Sequence, residues 1–380
     1  MAKLLFFVAE DWFFHSHFLA RATAARDAGF EVVVLAREGA HAAAIRAQGL
    51  GFVPLAFRRG GLNPLAELGV IREVLKVYRR ERPDTVHHVA LKPIIYGTLV
   101  ARLLGLRRVI NAPVGMGYVF TSGDLKARLL RPFVRAMLKA FLHPAGAVVV
   151  FENPDDLRSN IEAGAVRADG ATLIRGAGVD TRLYRPQPSA REVPVVTLAA
   201  RMLRDKGVEE FVAAARSLAA SGVRARFRLA GASDPANPTS ISETRLRSWH
   251  EEGVVEWMGH CDDMAGVWAS TDIACLPSYR EGLPKSLLEA LACGLPVVAT
   301  DVPGCRETVE PGRNGLLVPA RDSQALADAL RRLIEDAGLR NRFGARSRDK
   351  ALQEFADDVV VAATLRLYRG APPEGGPPHE

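Results

Sequence analysis

Cysteine is scarce in this chain. The four residues, Cys261, Cys275, Cys293 and Cys305, share no C-x2-C spacing, so neither a zinc site nor a disulfide framework organises the fold. No apolar run reaches the ~18 residues that a bilayer-crossing helix needs. No cleavable leader is expected either: Lys3 precedes LLFFVA, and Glu10 and Asp11 follow with no small-residue cleavage site. The expectation is a cytoplasmic chain, or one lying peripherally on the inner face of the cell membrane. Aromatic residues make up only 7% against 48% hydrophobic residues, a balance that fits a soluble α/β protein. Its 380 residues exceed one ordinary core and point to two domains of similar size.

Acidic residues are what the first half lacks. Residues 1–180 hold 24 Lys and Arg against 16 Asp and Glu, whereas the remainder holds 26 against 27. Residues 101–150 alone carry 8 basic residues and 1 acidic one. That concentration calls for an anionic partner. Nucleic acid is set aside, because no aromatic-basic interleaving accompanies the charge. An anionic membrane surface or a lipid-linked pyrophosphate fits. Within residues 125–142 the cations Arg128, Arg131, Arg135 and Lys139 share one helical stripe, with Leu130, Phe133, Met137 and Phe141 opposite. Two readings stand: a domain helix burying its apolar side, or a membrane-docking helix in which each cation near anionic lipid contributes about 1 kcal/mol.

Apolar runs alternate with amphipathic stretches along the whole chain. Strands are expected at 3–9, 31–36, 85–89, 108–112, 147–151 and 171–174, with helices at 18–28, 71–82 and 97–104. The second half repeats the rhythm, with strands at 195–200, 225–230, 254–257, 273–276 and 297–300 and helices at 207–217, 287–292 and 323–334. This alternation indicates doubly wound parallel sheets, with ligands at the carboxyl ends of the strands. Pro186 and Pro188 mark a linker near 178–190.

The segment from Ser278 to Gly304 carries the chemistry. Tyr279 to Pro284 reads as a turn, with Pro284 at the first position of a helix over 285–292 and Gly294 at its end. Glu281 thus precedes a helix N-terminus, whose free N–H groups and dipole favour an anion, and Glu289 lies further along that helix. Two carboxylates beside a phosphate-sized anion site suit a nucleotide sugar, although an isolated E-x7-E is more often a pair of solvated acids. Arg201 and Lys206 follow the strand at 195–200 and precede a helix opened by Gly207. Two fixed cations there are what a departing diphosphate needs.

At these residues the chain resembles the family 4 retaining glycosyltransferases, over roughly residues 3–369. The resemblance implies the GT-B fold: two Rossmann-like doubly wound parallel-sheet domains facing across a cleft. Residues 1–182 would bind the acceptor and 183–355 the nucleotide sugar. A helix at 356–369 would pack back on the first domain, ahead of a disordered tail at 370–380. Catalysis would fall to Glu281, Arg201 and Lys206. Glu289 would hold the ribose hydroxyls, and the backbone of Gly282, Leu283 and Pro284 would line the sugar and phosphate. Gly231 would sit beside the nucleotide, and Trp257 and Met258 would read the base. Many members carry a histidine in the loop after the 108–112 strand; here that loop has none. It more closely resembles a bacterial capsule and O-antigen subgroup, with Glu10, Asp11, Lys92, Asn111, Gly115 and Gly117 as acceptor-side candidates. His15, His17, His87 and His88 are read as structural.

No cofactor or metal is expected, and the adjacent pairs Asp155-Asp156 and Asp262-Asp263 are read as helix caps. The implied activity is retaining transfer from a UDP-sugar donor to a polyprenyl-pyrophosphate-linked saccharide, in bacterial surface polysaccharide (lipopolysaccharide, O-antigen or capsule) biosynthesis. The alternatives are a GT-B hydrolase or epimerase acting on the nucleotide sugar alone, and a non-catalytic sugar-nucleotide-binding partner.

Overall fold

Strands whose residues are apolar on both sides have to be covered on both faces, and helices cover them here. The computed structural model describes residues 1–56, 63–114, 125–188, 191–235 and 237–371, with the backbone alone at 64, 125–131 and 135. Thirteen strands form two all-parallel sheets among the described residues. The first contains β1 (Lys3–Glu10), β2 (Glu31–Arg37), β3 (Gly51–Pro54), β4 (Thr85–Val89), β5 (Arg108–Ala112), β6 (Ala147–Phe151) and β7 (Ala171–Leu173), in the order β3-β2-β1-β4-β5-β6-β7. In β1, Leu4, Phe6 and Val8 enter one core cluster while Leu5 and Phe7 enter another, so successive side chains fill opposite faces.

The second sheet contains β8 (Val195–Ala199), β9 (Arg226–Ala230), β10 (Glu256–Gly259), β11 (Ile273–Leu276), β12 (Val297–Thr300) and β13 (Gly315–Val318), in the order β10-β9-β8-β11-β12-β13. In each sheet the strand order reverses beside the first strand, between β1 and β4 and between β8 and β11. Chain leaving such neighbouring strands diverges to opposite faces of the sheet and opens a crevice at their carboxyl ends.

Two compact units result: Met1–Ala177 with the chain from Val360, and Gly178–Val359. The crossing therefore lies at 177/178 rather than 182/183, and the return at 359/360 rather than 355/356. The last helix, Asp357–Tyr368, brings Tyr368 Oη within 2.8 Å of His87 Nδ1 in β4, and Arg108 donates to the Tyr368 carbonyl at 2.9 Å.

Several expectations shift. The strand expected at 254–257 is β10, two residues later, and Pro284 is the N-cap of the helix Lys285–Ala292 rather than its first residue. The helix expected at 97–104 runs Leu91–Leu103, because Pro93 falls in the first turn, where a missing N–H costs nothing. Asn153 caps the helix that contains Asp155 and Asp156 in its first turn, while Asp263 does cap its own helix. In the helix Leu125–Phe141 the buried stripe is Val134 and Leu138, not the expected Phe133. An i, i+4 pair faces the core, and Phe133 stands 61% exposed. The tail beyond 371, Gly115 and Gly117, and the side chains of Arg128, Leu130, Arg131 and Arg135 lie outside the described residues.

Candidate active site

The switch point of the second sheet gathers the residues with chemistry. Beyond β8 the chain passes Arg201 and makes a 3-10 turn at Arg204–Lys206, whose Arg204 is exposed. Gly207 follows in the left-handed conformation (φ 70°) as N-cap of the helix Val208–Ala220. Any Cβ at Gly207 would stand 2.1 Å from the Pro277 carbonyl oxygen, so only glycine lets this turn meet the end of β11. Beyond β11 come Ser278 and Glu281. Lys206 Nζ lies 2.6 Å from Glu281 Oε1, and Ser278 Oγ donates to the same oxygen at 2.6 Å. Their side chains are 19% and 10% exposed for Lys206 and Glu281, so the pair is sheltered yet reachable. Glu281 N–H donates to the Pro303 carbonyl at 3.2 Å. Gly304 (φ 81°) lets this contact close, since a Cβ there would approach the Gly282 carbonyl to 2.5 Å.

The other cation is held from a third loop. Arg201 Nη1 donates to Asp234 Oδ2 at 2.6 Å. The loop bearing Asp234 is itself tied to the 201–206 segment: Arg204 N–H donates to the Thr239 carbonyl, and Thr239 Oγ1 to Asp205. Gly231, at the end of β9, accepts a 2.9 Å hydrogen bond from Trp257 Nε1, and Met258 is exposed beside it in sequence.

Glu289 projects from the helix Lys285–Ala292 and is 7% exposed. Trp268 Nε1 donates to its Oε2 at 3.1 Å, and Lys285 Nζ stands 3.9 Å from Oε1. Burial raises its pKa, opposed by Lys285 and by hydrogen bonds from Trp268 and Tyr184. Leu283 and Pro284 are buried at this helix start, and Gly282 is partly exposed.

The acceptor-side candidates separate into two kinds. Asp11 Oδ2 accepts from the N–H groups of Gly39 and His41 (2.8 and 3.0 Å), and the residue is buried. Asn111 is wholly buried; its amide donates to the Leu142 carbonyl at 2.7 Å and its oxygen meets His88 Nδ1 at 2.8 Å. Both residues are engaged within the unit, Asp11 through Oδ2 and Asn111 through its amide nitrogen and its oxygen. Glu10 pairs with Arg37 at 3.5 Å, and Lys92 with Glu67 at 2.6 Å, where Tyr96 Oη also donates. Glu10 ends β1 and Lys92 follows β4, at the switch point of the first sheet.

His88 has both ring nitrogens engaged, with Tyr78 Oη 2.9 Å from Nε2, and His87 is bonded to Tyr368. Both are buried, in keeping with structural roles. His15 lies against His41, and His17 stacks on Phe13.

Asp234, Ser278, Trp268 and Tyr184 escaped the sequence reading, since none belongs to a spaced motif. The available signal was a serine at the end of a buried strand, where a polar side chain must find a partner. As built, the site offers two cations and a helix N-terminus to an anion, and two carboxylates to hydroxyl groups.

Residues 193–336 match the family model for glycosyl transferases group 1, and residues 3–145 match that for glycosyl transferase 4-like proteins. The chain belongs to this glycosyltransferase family and has its GT-B fold. Among relatives, it is 27% identical over 359 residues to the N,N'-diacetylbacillosaminyl-diphospho-undecaprenol alpha-1,3-N-acetylgalactosaminyltransferase of Campylobacter jejuni, covering 91% of this chain and 92% of that protein. Among solved structures, sucrose-phosphate synthase from Thermosynechococcus elongatus superimposes with a TM-score of 0.81 at 21% identity, over 97% of this chain and 98% of that one. Anabaena Alr3699/HepE, solved with UDP and glucose, gives 0.78 at 19% identity, over 97% of this chain and 100% of that one. At such identities these structures speak for the fold.

Proposed function

We propose that this glycosyltransferase moves a sugar, with retention of anomeric configuration, from a UDP-sugar to a polyprenyl-diphosphate-linked saccharide in bacterial surface polysaccharide biosynthesis. The observation that carries the reading is the Lys206–Glu281 pair at the carboxyl ends of β8 and β11, with Arg201 after the same strand. Lys206 and Arg201 stabilise the charge that builds on the diphosphate as the C1–O bond breaks. Glu281 holds the sugar, and Glu289 the ribose hydroxyls. The acceptor oxygen bonds to C1 on the face the diphosphate leaves, and its proton passes to a departing phosphate oxygen. Cations of the protein supply the charge stabilisation, so the reading calls for no metal.

The names of similar proteins support the choice of substrates. The Campylobacter relative is named for a diphospho-undecaprenol acceptor and an alpha linkage, which from an α-linked UDP-sugar means retention. The Anabaena structure holds UDP and glucose. Docking on the anionic inner membrane surface is assigned to the helix Leu125–Phe141, where Phe133 and Lys139 are exposed and Val134 and Leu138 anchor the opposite side. No helix among the described residues is long and apolar enough to cross a membrane.

The test is product analysis by mass spectrometry with a panel of UDP-sugars and extracted lipid-linked acceptor. Glu281→Ala is expected to abolish transfer, and Lys206→Ala to lower kcat more than donor binding. Full activity in Glu281→Ala would remove that residue from the reaction. Rapid UDP release without acceptor would make the chain a hydrolase instead.

A further inference from the structure

We propose that Ser278 is a positioning residue for the transfer reaction: its hydroxyl fixes which oxygen of Glu281 faces the donor sugar. The inference rests on the role given above to Glu281. Ser278 is completely buried just beyond β11, and its Oγ lies 2.6 Å from Glu281 Oε1. The same oxygen receives Lys206 Nζ at 2.6 Å. Two donors, one of them charged, occupy Oε1, while no described residue bonds to Oε2. Glu281 therefore presents one carboxylate oxygen, in one orientation.

Lys206 alone does not impose that orientation. An ammonium is a point charge with three rotatable donors, and it serves either carboxylate oxygen equally well. The same ammonium is also drawn toward the diphosphate as the leaving group gains charge, which loosens its hold on Glu281 when the transition state needs it most. The serine hydroxyl is subject to no such competition. Its backbone is pinned from the neighbouring strand, where the buried Thr300 Oγ1 at the end of β12 donates to the Ser278 carbonyl. Ser278 is thus anchored by the sheet and passes that rigidity to Glu281.

A residue that orients Glu281 acts on the sugar and not on the nucleotide, so kcat and nucleotide affinity should separate. In Ser278→Ala we expect kcat with the UDP-sugar turned over by the wild type to fall ~10–100-fold, the factor carried by a lost hydrogen bond to a charged group. UDP affinity by calorimetry should stay within about twofold, because UDP lacks the transferred sugar that Glu281 holds. Ser278→Cys keeps the volume and offers only a weak donor, so it should behave like alanine. Ser278→Thr restores the hydroxyl and should recover part of the rate. Unchanged kcat in Ser278→Ala overturns the inference and leaves the donor site standing. Loss of UDP affinity in step with kcat, together with a lowered Tm, also overturns it, because the serine would then be a packing element only. A wild type that binds no UDP overturns the donor site and this inference with it.

Discussion

His88 makes the pH dependence of the first unit calculable. Asn111 directs its amide nitrogen to the Leu142 and Phe141 carbonyls, so its oxygen faces His88 Nδ1. Nδ1 must then carry the proton, and Nε2 accepts from Tyr78 Oη at 2.9 Å. The neutral ring is satisfied and sealed beneath Gly97, where a Cβ would come within 2.5 Å of it. Burial pushes its pKa from 6.5 down to about 4, partly offset by the bond to Asn111. The folded value is depressed, so the unfolded chain binds more protons through this window. Stability from this residue is complete above about pH 6.5 and falls as pH drops toward 4. At pH 5 the loss is about 2 kcal/mol, with a ceiling near 3 kcal/mol below pH 4. Hydrogen exchange of the β4 amides at pH 7 and pH 5, corrected for intrinsic rates, measures it. Wild type should lose about 2 kcal/mol more than His88→Gln, a comparison that cancels the titrating groups not coupled to His88. Equal losses would refute the reasoning. Should His88→Gln fail to fold, the ring resonances of the wild type decide, and a midpoint near 6.5 refutes it equally.

Three further outcomes follow from the geometry. Asp234→Ala removes a partly exposed carboxylate that competes with a diphosphate for Arg201, so UDP should bind ~2–5-fold tighter at low salt, with the gain shrinking as salt rises; weaker binding would mean that Asp234 orients the guanidinium instead. Gly304→Ala sets a Cβ against the Gly282 and Glu281 carbonyls at φ 81°, and should lower stability by about 1–3 kcal/mol and transfer by more than tenfold; normal turnover would show that the loop yields easily. Phe133→Ser with Lys139→Glu should reduce co-sedimentation with anionic vesicles several-fold while leaving UDP affinity alone. Unchanged co-sedimentation would confine that helix to the core.

What was legible in the sequence was whatever repeats or is local. Runs such as VVTLA and VVAT are apolar on both faces because each strand is covered twice, so the strands of both sheets stood out. The exceptions, β3 and β13, are short edge strands of four residues, GFVP and GLLV, whose glycines and proline read as turns. The Lys206–Glu281 contact spans 75 positions, and no spacing rule reaches that far. It was inferable only because each partner follows a strand, and the strand order then forces β8 beside β11. Ser278, Asp234, Trp268 and Tyr184 lacked even that support, since a single polar residue carries no period. Asn111 and Asp11 mark the converse case. They sit at strand ends, as ligand-binding residues do, but there a buried polar group is just as often the fastener of the next element. The distinction lies in whether the side chain's hydrogen bonds close within the fold. Asn111 closes all of its own, with His88, Thr98, Phe141 and Leu142, whereas no described residue bonds to Glu281 Oε2, at the carboxyl edge of the sheet. An unclosed acceptor, sheltered and anchored from one side, is the physical mark that separates a site from a scaffold in this molecule.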